Sequence, residues 1–274
     1  MTRTAAAQIC PEFRNPSANR DKMEDWLRKA NGEGAQLVVF PEACVSGYCF
    51  EEKEDAARFA EAIPGPTTDR FCALCSELGI WLVFGMLELD GNRIFNSAPL
   101  IGPDGVVGVY RKVHLPFLGV DRFTVPGDRP FDVFETPIGN IGINICYDAA
   151  FPESSRLVAL EGADILVLPT NWPGKAICYS KYVIATRCLE NRINYVACDR
   201  VGEEGGTNFI GNSVIYDYAA NELARASADE EELIIADLDT EAPRQKRLVY
   251  IPGVYELDRI GDRRPELYGR IAEE

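Results

Sequence analysis

The stretch GINICYDAAFPE, residues 142–153, joins two kinds of structure. Ile143 and Ile145 fall on one face of an extended segment and Asn144 and Cys146 on the other, as the two-residue period of a strand requires. Pro152 then suits the first turn of a helix. A buried strand that turns into a helix is the repeating unit of an α/β protein, and Cys146 stands at the junction. A free cysteine is ordinarily a small core hydrophobe; at the end of a strand it can also be a presented nucleophile.

Outward from this stretch, runs apolar on both faces recur: AQLVVF (35–40), IWLVFGM (80–86), ADILVLP (163–169), NYVAC (194–198) and ELIIADL (232–238). Such strands are covered on both sides. Between them, Met23, Trp26, Leu27 and Ala30 repeat at helical spacing, with Gly32 and Gly34 placed to end the helix. Phe71, Leu74, Cys75 and Leu78 do the same ahead of Gly79. Strand and helix alternate, so the class is α/β. No repeat, low-complexity segment or linker divides the 274 residues, and a single domain is expected. GPTTD (65–69), LPFLGVDRFTVPGDRP (115–130) and VGEEGGTNF (201–209) read as loops, the second long enough to suggest a functional role.

With 43 acidic against 28 basic residues, the net charge of −15 argues against nucleic acid or an anionic membrane surface as partner. No apolar run approaches the ~18 residues of a membrane span. The opening MTRTAAAQIC enters a strand without the features of a secretory signal. Nine scattered cysteines then read as reduced thiols, and a cytoplasmic location is expected.

Cys72 and Cys75 form a C-x-x-C, but no second pair completes a zinc set, and Cys75 lies on the apolar face of its helix. His114 is the only histidine, so a Cys-His mechanism would have to use it; at its place in VYRKVHLP a structural role is the commoner one. Alternation puts Tyr110, Lys112 and His114 on one face of that strand and Arg111 on the other, so at least one charge should point into protein. Glu42 follows an apolar strand in LVVFPEACVSGY, which sets its carboxylate at the sheet's end.

In order, VVFPEACVSGY, YRKVHLPF and GINICYDAAFPE resemble the three signature segments of the nitrilase superfamily, the carbon-nitrogen hydrolases. GADILVLPTNWP, RCLENRINYVACDRVG and FIGNSVIYD are similar to further segments of that family, and GDRRPELYGRI to the arm that ends many members. The resemblance implies Glu42, Lys112 and Cys146 as catalytic residues, with the backbone N–H of Tyr147 helping to hold the oxyanion. It implies a four-layer α-β-β-α sandwich over residues 1–274, a homodimer, and an arm from about 240 to 274 at the dimer interface. It calls for no metal and no organic cofactor. Members commonly carry a second glutamate after the lysine; here that loop has none, and Asp121, about one position off, is the candidate in its place.

Tyr48, Asn171 and Trp172 are expected to line the substrate pocket. The Cys146 thiol is expected to be acidified by Lys112 and by the helix start near Pro152. C-Y-D resembles amidases and carbamoyl-amide hydrolases more than nitrilases with C-W-E, which points to hydrolysis of a small carboxamide to acid and ammonia. Nitrile and N-carbamoyl hydrolysis stay open. The rivals of another kind are a silent binding protein on the same fold and a glutamine amidase that serves a synthetase.

Overall fold

The computed structural model describes residues 1–273. The first half of the chain runs β1 (Thr2–Gln8), α1 (Pro16–Gly32), β2 (Leu37–Val39), α2 (Lys53–Ala57), α3 (Pro66–Leu78), β3 (Trp81–Val83), β4 (Met86–Asp90), β5 (Arg93–Gly102) and β6 (Gly105–Arg111). The second runs β7 (Val133–Thr136), β8 (Gly139–Ile143), α4 (Pro152–Leu160), β9 (Ile165–Pro169), α5 (Ile184–Asn191), β10 (Asn194–Cys198), β11 (Val201–Glu204), β12 (Thr207–Ile210), β13 (Val214–Tyr216), β14 (Glu222–Arg225), β15 (Glu232–Leu238), β16 (Arg247–Ile251) and β17 (Tyr255–Asp258).

One sheet is ordered β15-β1-β2-β3, then β5, with β4 continuing the line of β3 along one edge of β5 and β6 on its other edge. The other is ordered β14-β13-β10-β9-β8-β7. The centre of each is parallel: β1-β2-β3 in one, β8-β9-β10 in the other.

Alternation along the strands builds the layers. Ala5 and Ala7 of β1 and Val38 of β2 pack with Met23 and Leu27 of α1 and Phe71 and Leu74 of α3. Ala6, Leu37 and Val39 face the opposite way, into a cluster shared with Ile143, Val167 and Tyr195 of the second sheet. Val158 of α4 and Ile184 and Cys188 of α5 join that cluster. The result is an α-β-β-α sandwich in a single domain. Both faces of both sheets are covered, which is why the strands read as unbroken apolar runs.

The C-terminal ends of the parallel strands gather the residues of interest, as open parallel sheets do. Glu42 follows β2, Cys146 follows β8, Asn171 and Trp172 follow β9, and Asp199 follows β10.

Two loop readings are corrected. GPTTD is the start of α3, with Gly65 as its cap, Pro66 at its first position and the Gly65 N–H donating to Thr68 Oγ1 at 2.8 Å. VGEEGGTNF is the β11–β12 hairpin, closed by Gly205 and Gly206, both at positive φ. The segment 115–130 does lack regular structure apart from a 3-10 turn, Gly119–Arg122, which carries Asp121. Beyond the sandwich, β16 and β17 form a separate hairpin that leaves Val249, Tyr250, Ile251 and Val254 exposed. Among the described residues, no helix is long and apolar enough to cross a membrane.

Candidate active site

Glu42 is placed by a close backbone approach. Gly85 donates its N–H to the Pro41 carbonyl at 3.0 Å and accepts from the Cys44 N–H at 3.0 Å. A Cβ on Gly85 would lie 2.4 Å from Glu42 Cα and 2.4 Å from the Ala43 nitrogen, so only glycine allows this contact. Asn171 Nδ2 donates to the Glu42 carbonyl at 3.0 Å.

Lys112 extends the ladder of β6 by one residue, its N–H donating to the Asn96 carbonyl at 2.8 Å. Its ammonium donates to Glu42 Oε1 at 2.6 Å and to Asp121 Oδ2 at 2.5 Å. Asn96 Nδ2 bridges the same two carboxylates, at 2.7 Å from Glu42 Oε1 and 2.9 Å from Asp121 Oδ1. The Tyr48 hydroxyl donates to Asp121 Oδ2 at 2.9 Å. Glu42 and Lys112 are each 1% exposed, and Glu42 Oε2 is buried with no partner. Arg111, on the opposite face, enters a separate acidic group of Glu88, Asp90 and Asp128. Both neighbouring charges therefore point into protein.

Cys146 opens a 3-10 turn, Cys146–Ala150, directly after the strand. Its φ is +46°, a region that a non-glycine residue occupies only when its surroundings force it. Asp148, two residues on, accepts from the Ile145 N–H at 3.0 Å and the Tyr110 hydroxyl at 2.8 Å. Its other oxygen accepts from the His114 N–H at 3.0 Å and faces His114 Nδ1 at 2.7 Å. The His114 ring stacks on Phe151 with centroids 3.7 Å apart. Its ring nitrogen Nδ1 is thus committed to the turn's own carboxylate.

The structure brings Glu42, Lys112, Asp121, Tyr48, Asn171 and Cys146 to one place. Asp121, one position off by sequence, reaches Lys112 because its 3-10 turn carries it inward. Tyr48 is buried, and its hydroxyl is spent on Asp121 and the Leu118 carbonyl. The Trp172 ring stacks on Tyr179 at 5.9 Å, and its backbone N–H donates to Asp199 Oδ1 at 2.8 Å. Asn96 was missed: one amide inside a ten-residue strand carries no pattern. Asp148 has a signal in the sequence, a carboxylate two residues from a turn cysteine, but no motif that states its partners. Of the C-x-x-C pair, Cys75 is core, its thiol pushed up to about 12 by burial.

The profile of the carbon-nitrogen hydrolases matches residues 3–247. The chain belongs to this family. It is 39% identical to a nitrilase of Pyrococcus abyssi, over 98% of this chain and 100% of that protein. It is 33% identical to the N-carbamoylputrescine amidase of Solanum lycopersicum, over 92% and 89%. Among solved structures, an amidase of the nitrilase superfamily from Nesterenkonia superposes with a TM-score of 0.84 at 26% identity, covering 98% of this chain and 97% of that one. A glutamate-to-glutamine variant of that amidase carries acrylamide added to its active-site cysteine and superposes with a TM-score of 0.83 at 25% identity, over 99% and 100%.

The electrostatics of this carbon-nitrogen hydrolase correct one expectation. The Cys146 thiol is not acidified; burial, then the charge of Glu42, push it well above the ordinary thiol value, while Lys112 pulls it back only in part. The helix contributes little because α4 starts at Pro152, beyond the intervening turn. Burial also raises Glu42, with Asp121 adding to the rise and Lys112 opposing it. For Lys112, burial disfavours the ammonium, but the charges of Asp121, Glu42 and Cys146 outweigh it and hold the group well above the usual lysine value. The site thus sets a thiol held above its ordinary value beside an ammonium fixed by two acidic side chains and a carboxyl group with one oxygen unpartnered.

Proposed function

We propose that this hydrolase converts a small carboxamide to the carboxylic acid and ammonia through a thioester on Cys146. The observation that carries this reading is the divided carboxylate of Glu42: Oε1 is fixed by Lys112 and Asn96, and Oε2 is buried and unpartnered within the field of the thiol. A general base needs such an open oxygen. Burial and the charge of Glu42 hold the thiol above its ordinary value, so a base is needed at the moment of attack.

In this mechanism Glu42 takes the thiol proton as Sγ bonds to the carbonyl carbon. The oxyanion is held by Lys112 and by the Tyr147 N–H, which, at the start of its turn, has no partner within the turn. Glu42 returns the proton to the nitrogen as the C–N bond breaks and ammonia leaves. It then deprotonates the water that attacks the thioester, and the carboxylic acid departs as Cys146 regains its proton. Asp121 holds the ammonium in place, and Asn171 and Trp172 border the substrate. The adduct on the cysteine of the Nesterenkonia amidase supports the nucleophile.

Two relatives favour a second reading within the same machinery, in which the carbon attacked belongs to a nitrile or an N-carbamoyl group. A panel of aliphatic amides, nitriles and N-carbamoyl amines, assayed for ammonia, separates the readings. Turnover of amides is expected; turnover of nitriles or carbamoyl compounds without amides would replace the first reading by the second. Ammonia from none would favour the silent binding protein.

We also propose a cytoplasmic homodimer in which the arm of residues 240–274, whose last residue lies outside the described ones, meets a second copy. The exposed Tyr250, Val254 and Ile271 support that placement. Light scattering should give twice the chain mass, and a Val254→Asp variant should shift it toward one; a wild-type monomer would refute the dimer.

A further inference from the structure

We propose that Asp148 is a positioning residue that sets the Lys112 ammonium against the Cys146 thiol. The proposal rests on the roles given above to Cys146 and Lys112, and adds to them the acidic residue of C-Y-D and the single histidine, neither of which the mechanism uses.

The carboxylate joins two separate elements. From the nucleophile's segment it receives the Ile145 N–H, directly before Cys146. From the strand of Lys112 it receives the Tyr110 hydroxyl, the His114 N–H and the His114 ring. Tyr110 and His114 lie two residues before and two after Lys112, so all three side chains leave the extended segment on one face. Asp148 therefore grips the lysine's strand on both sides of the lysine and fastens it to the residue before the cysteine.

The grip is rigid at the other end as well. The Asp148 N–H donates to the Ile145 carbonyl at 3.0 Å, and the Ser154 hydroxyl donates to the Asp148 carbonyl at 2.8 Å. Arg187 of α5 donates to the Ala149 carbonyl from Nε at 3.2 Å, and Asn144 Nδ2 donates to Ser154 Oγ at 2.9 Å. A cysteine at positive φ persists only where its neighbours over-determine it.

A carboxylate is needed here because four donors converge on two acceptor oxygens. A carboxylate oxygen can only accept, so the 2.7 Å contact assigns the donor role to His114 Nδ1. An asparagine would turn an NH₂ toward donors at one of the two positions and leave a buried donor without an acceptor.

The test is a double-mutant cycle read by iodoacetamide alkylation of Cys146, followed by peptide mass spectrometry, at one fixed pH of about 8. This readout needs no knowledge of the substrate. The Lys112 charge favours the thiolate, so Lys112→Met and Asp148→Asn should each slow alkylation by about tenfold. The double variant should be little slower than either single one, because Asp148 acts through the lysine. A merely structural role gives multiplied losses, about a hundredfold in the double variant, and would overturn the proposal, as would an Asp148→Asn rate equal to wild type.

If Asp148→Asn does not fold, Tyr110→Phe and His114→Gln carry the same cycle, since each removes one strand-side bond and leaves the turn's own bonds in place. For amide hydrolysis, Asp148→Asn should lower kcat with KM within about threefold; a change confined to KM would count against it. Cys146→Ala separates the two levels. Ammonia release by that variant would refute the nucleophile itself, whereas an inactive Cys146→Ala with a multiplicative cycle would refute the role of Asp148 alone.

Discussion

Glu42 accepts from Lys112 at 2.6 Å through one oxygen and leaves the other buried without a partner. Two carboxylates share this ammonium, so the pocket holds more negative than positive charge away from water. Buried charge is costly, and under the proposed mechanism the group that carries this cost is the base.

Glu42→Gln should therefore lose activity by at least about a thousandfold and still be more stable than wild type. The glutamine oxygen can accept from Lys112 and Asn96 as before, and the excess charge is gone. Because burial raises Glu42 in the folded state, its ionisation disfavours folding above that raised value, and the cost disappears as pH falls through it toward the ordinary glutamate value. The melting temperature of the variant should exceed that of wild type by about 2 °C or more at neutral pH, roughly 1 kcal/mol for a chain of this size. The difference should shrink in acid. Equal melting curves at pH 7 would show that the ammonium already neutralises Glu42 fully.

Lys112→Met should behave in the opposite way. Removing the cation leaves Glu42 and Asp121 facing each other in a buried site, a loss of about 3–5 kcal/mol at neutral pH. Protonating a carboxylate relieves the repulsion, so the loss should diminish as pH falls. The rate should drop by about a hundredfold or more, as for other oxyanion donors. If the variant kept more than about a tenth of the rate, less than ~1.4 kcal/mol of the barrier would belong to the lysine, and the oxyanion role would be wrong.

Gly85→Ala tests whether Glu42 must sit where its backbone is held. The added methyl meets Glu42 Cα and the Ala43 nitrogen, both at 2.4 Å, and backbone atoms have no rotamer by which to yield. Ala43 is already at a φ of +46°, so the turn has little freedom left. The carboxylate should move away from the thiol and kcat should fall by about a hundredfold, while Ser97, which lies on the neighbouring β5, can take larger side chains only at the cost of its bond to Glu88 and so makes a poor control. Thr136→Ser in β7, far along the other sheet, keeps a hydroxyl for the Gly139 carbonyl and serves better. Wild-type kcat in Gly85→Ala would mean that the loop carries Glu42 without the close contact.

The extent to which the sequence announced all this follows from what each residue must satisfy. Val38, Val167 and Val196 are covered on every side, and burial of that kind leaves a mark in composition. Met23, Leu27 and Phe71 mark helices by their spacing. Asn96 leaves no mark, because its two carboxylate partners come from residues 42 and 121 and meet only after folding. The β11–β12 hairpin was hidden by its polar residues, yet Gly205-Gly206 between two extended runs is a two-residue hairpin signal. The thiol of Cys146 departs from the expected acidity for a physical reason: full burial, which one dimension does not show, is the largest influence on it, and the charge of Glu42 adds to the rise that Lys112 only partly offsets.

The nucleophile itself can be tested by a trapped adduct. The core thiols of Cys44, Cys188 and Cys198 are buried and pushed upward like that of Cys146, so pKa does not single out one cysteine. Geometry does: only Cys146 among these four lies at positive φ at the end of a strand and within the field of both Glu42 and Lys112. A slow amide substrate, quenched in acid at the steady state, should therefore leave an acyl group on the peptide that contains INICYD and on no other cysteine peptide. Cys146→Ala should leave none. With Glu42→Gln, acrylamide should add to the same peptide through a carbon–sulfur bond that no water step cleaves, as a Michael adduct forms at the active-site cysteine of a glutamate-to-glutamine variant of the Nesterenkonia amidase. An adduct on any other cysteine, with Cys146 unmodified, would exclude the thioester at Cys146 and with it the whole assignment of Glu42 as its base.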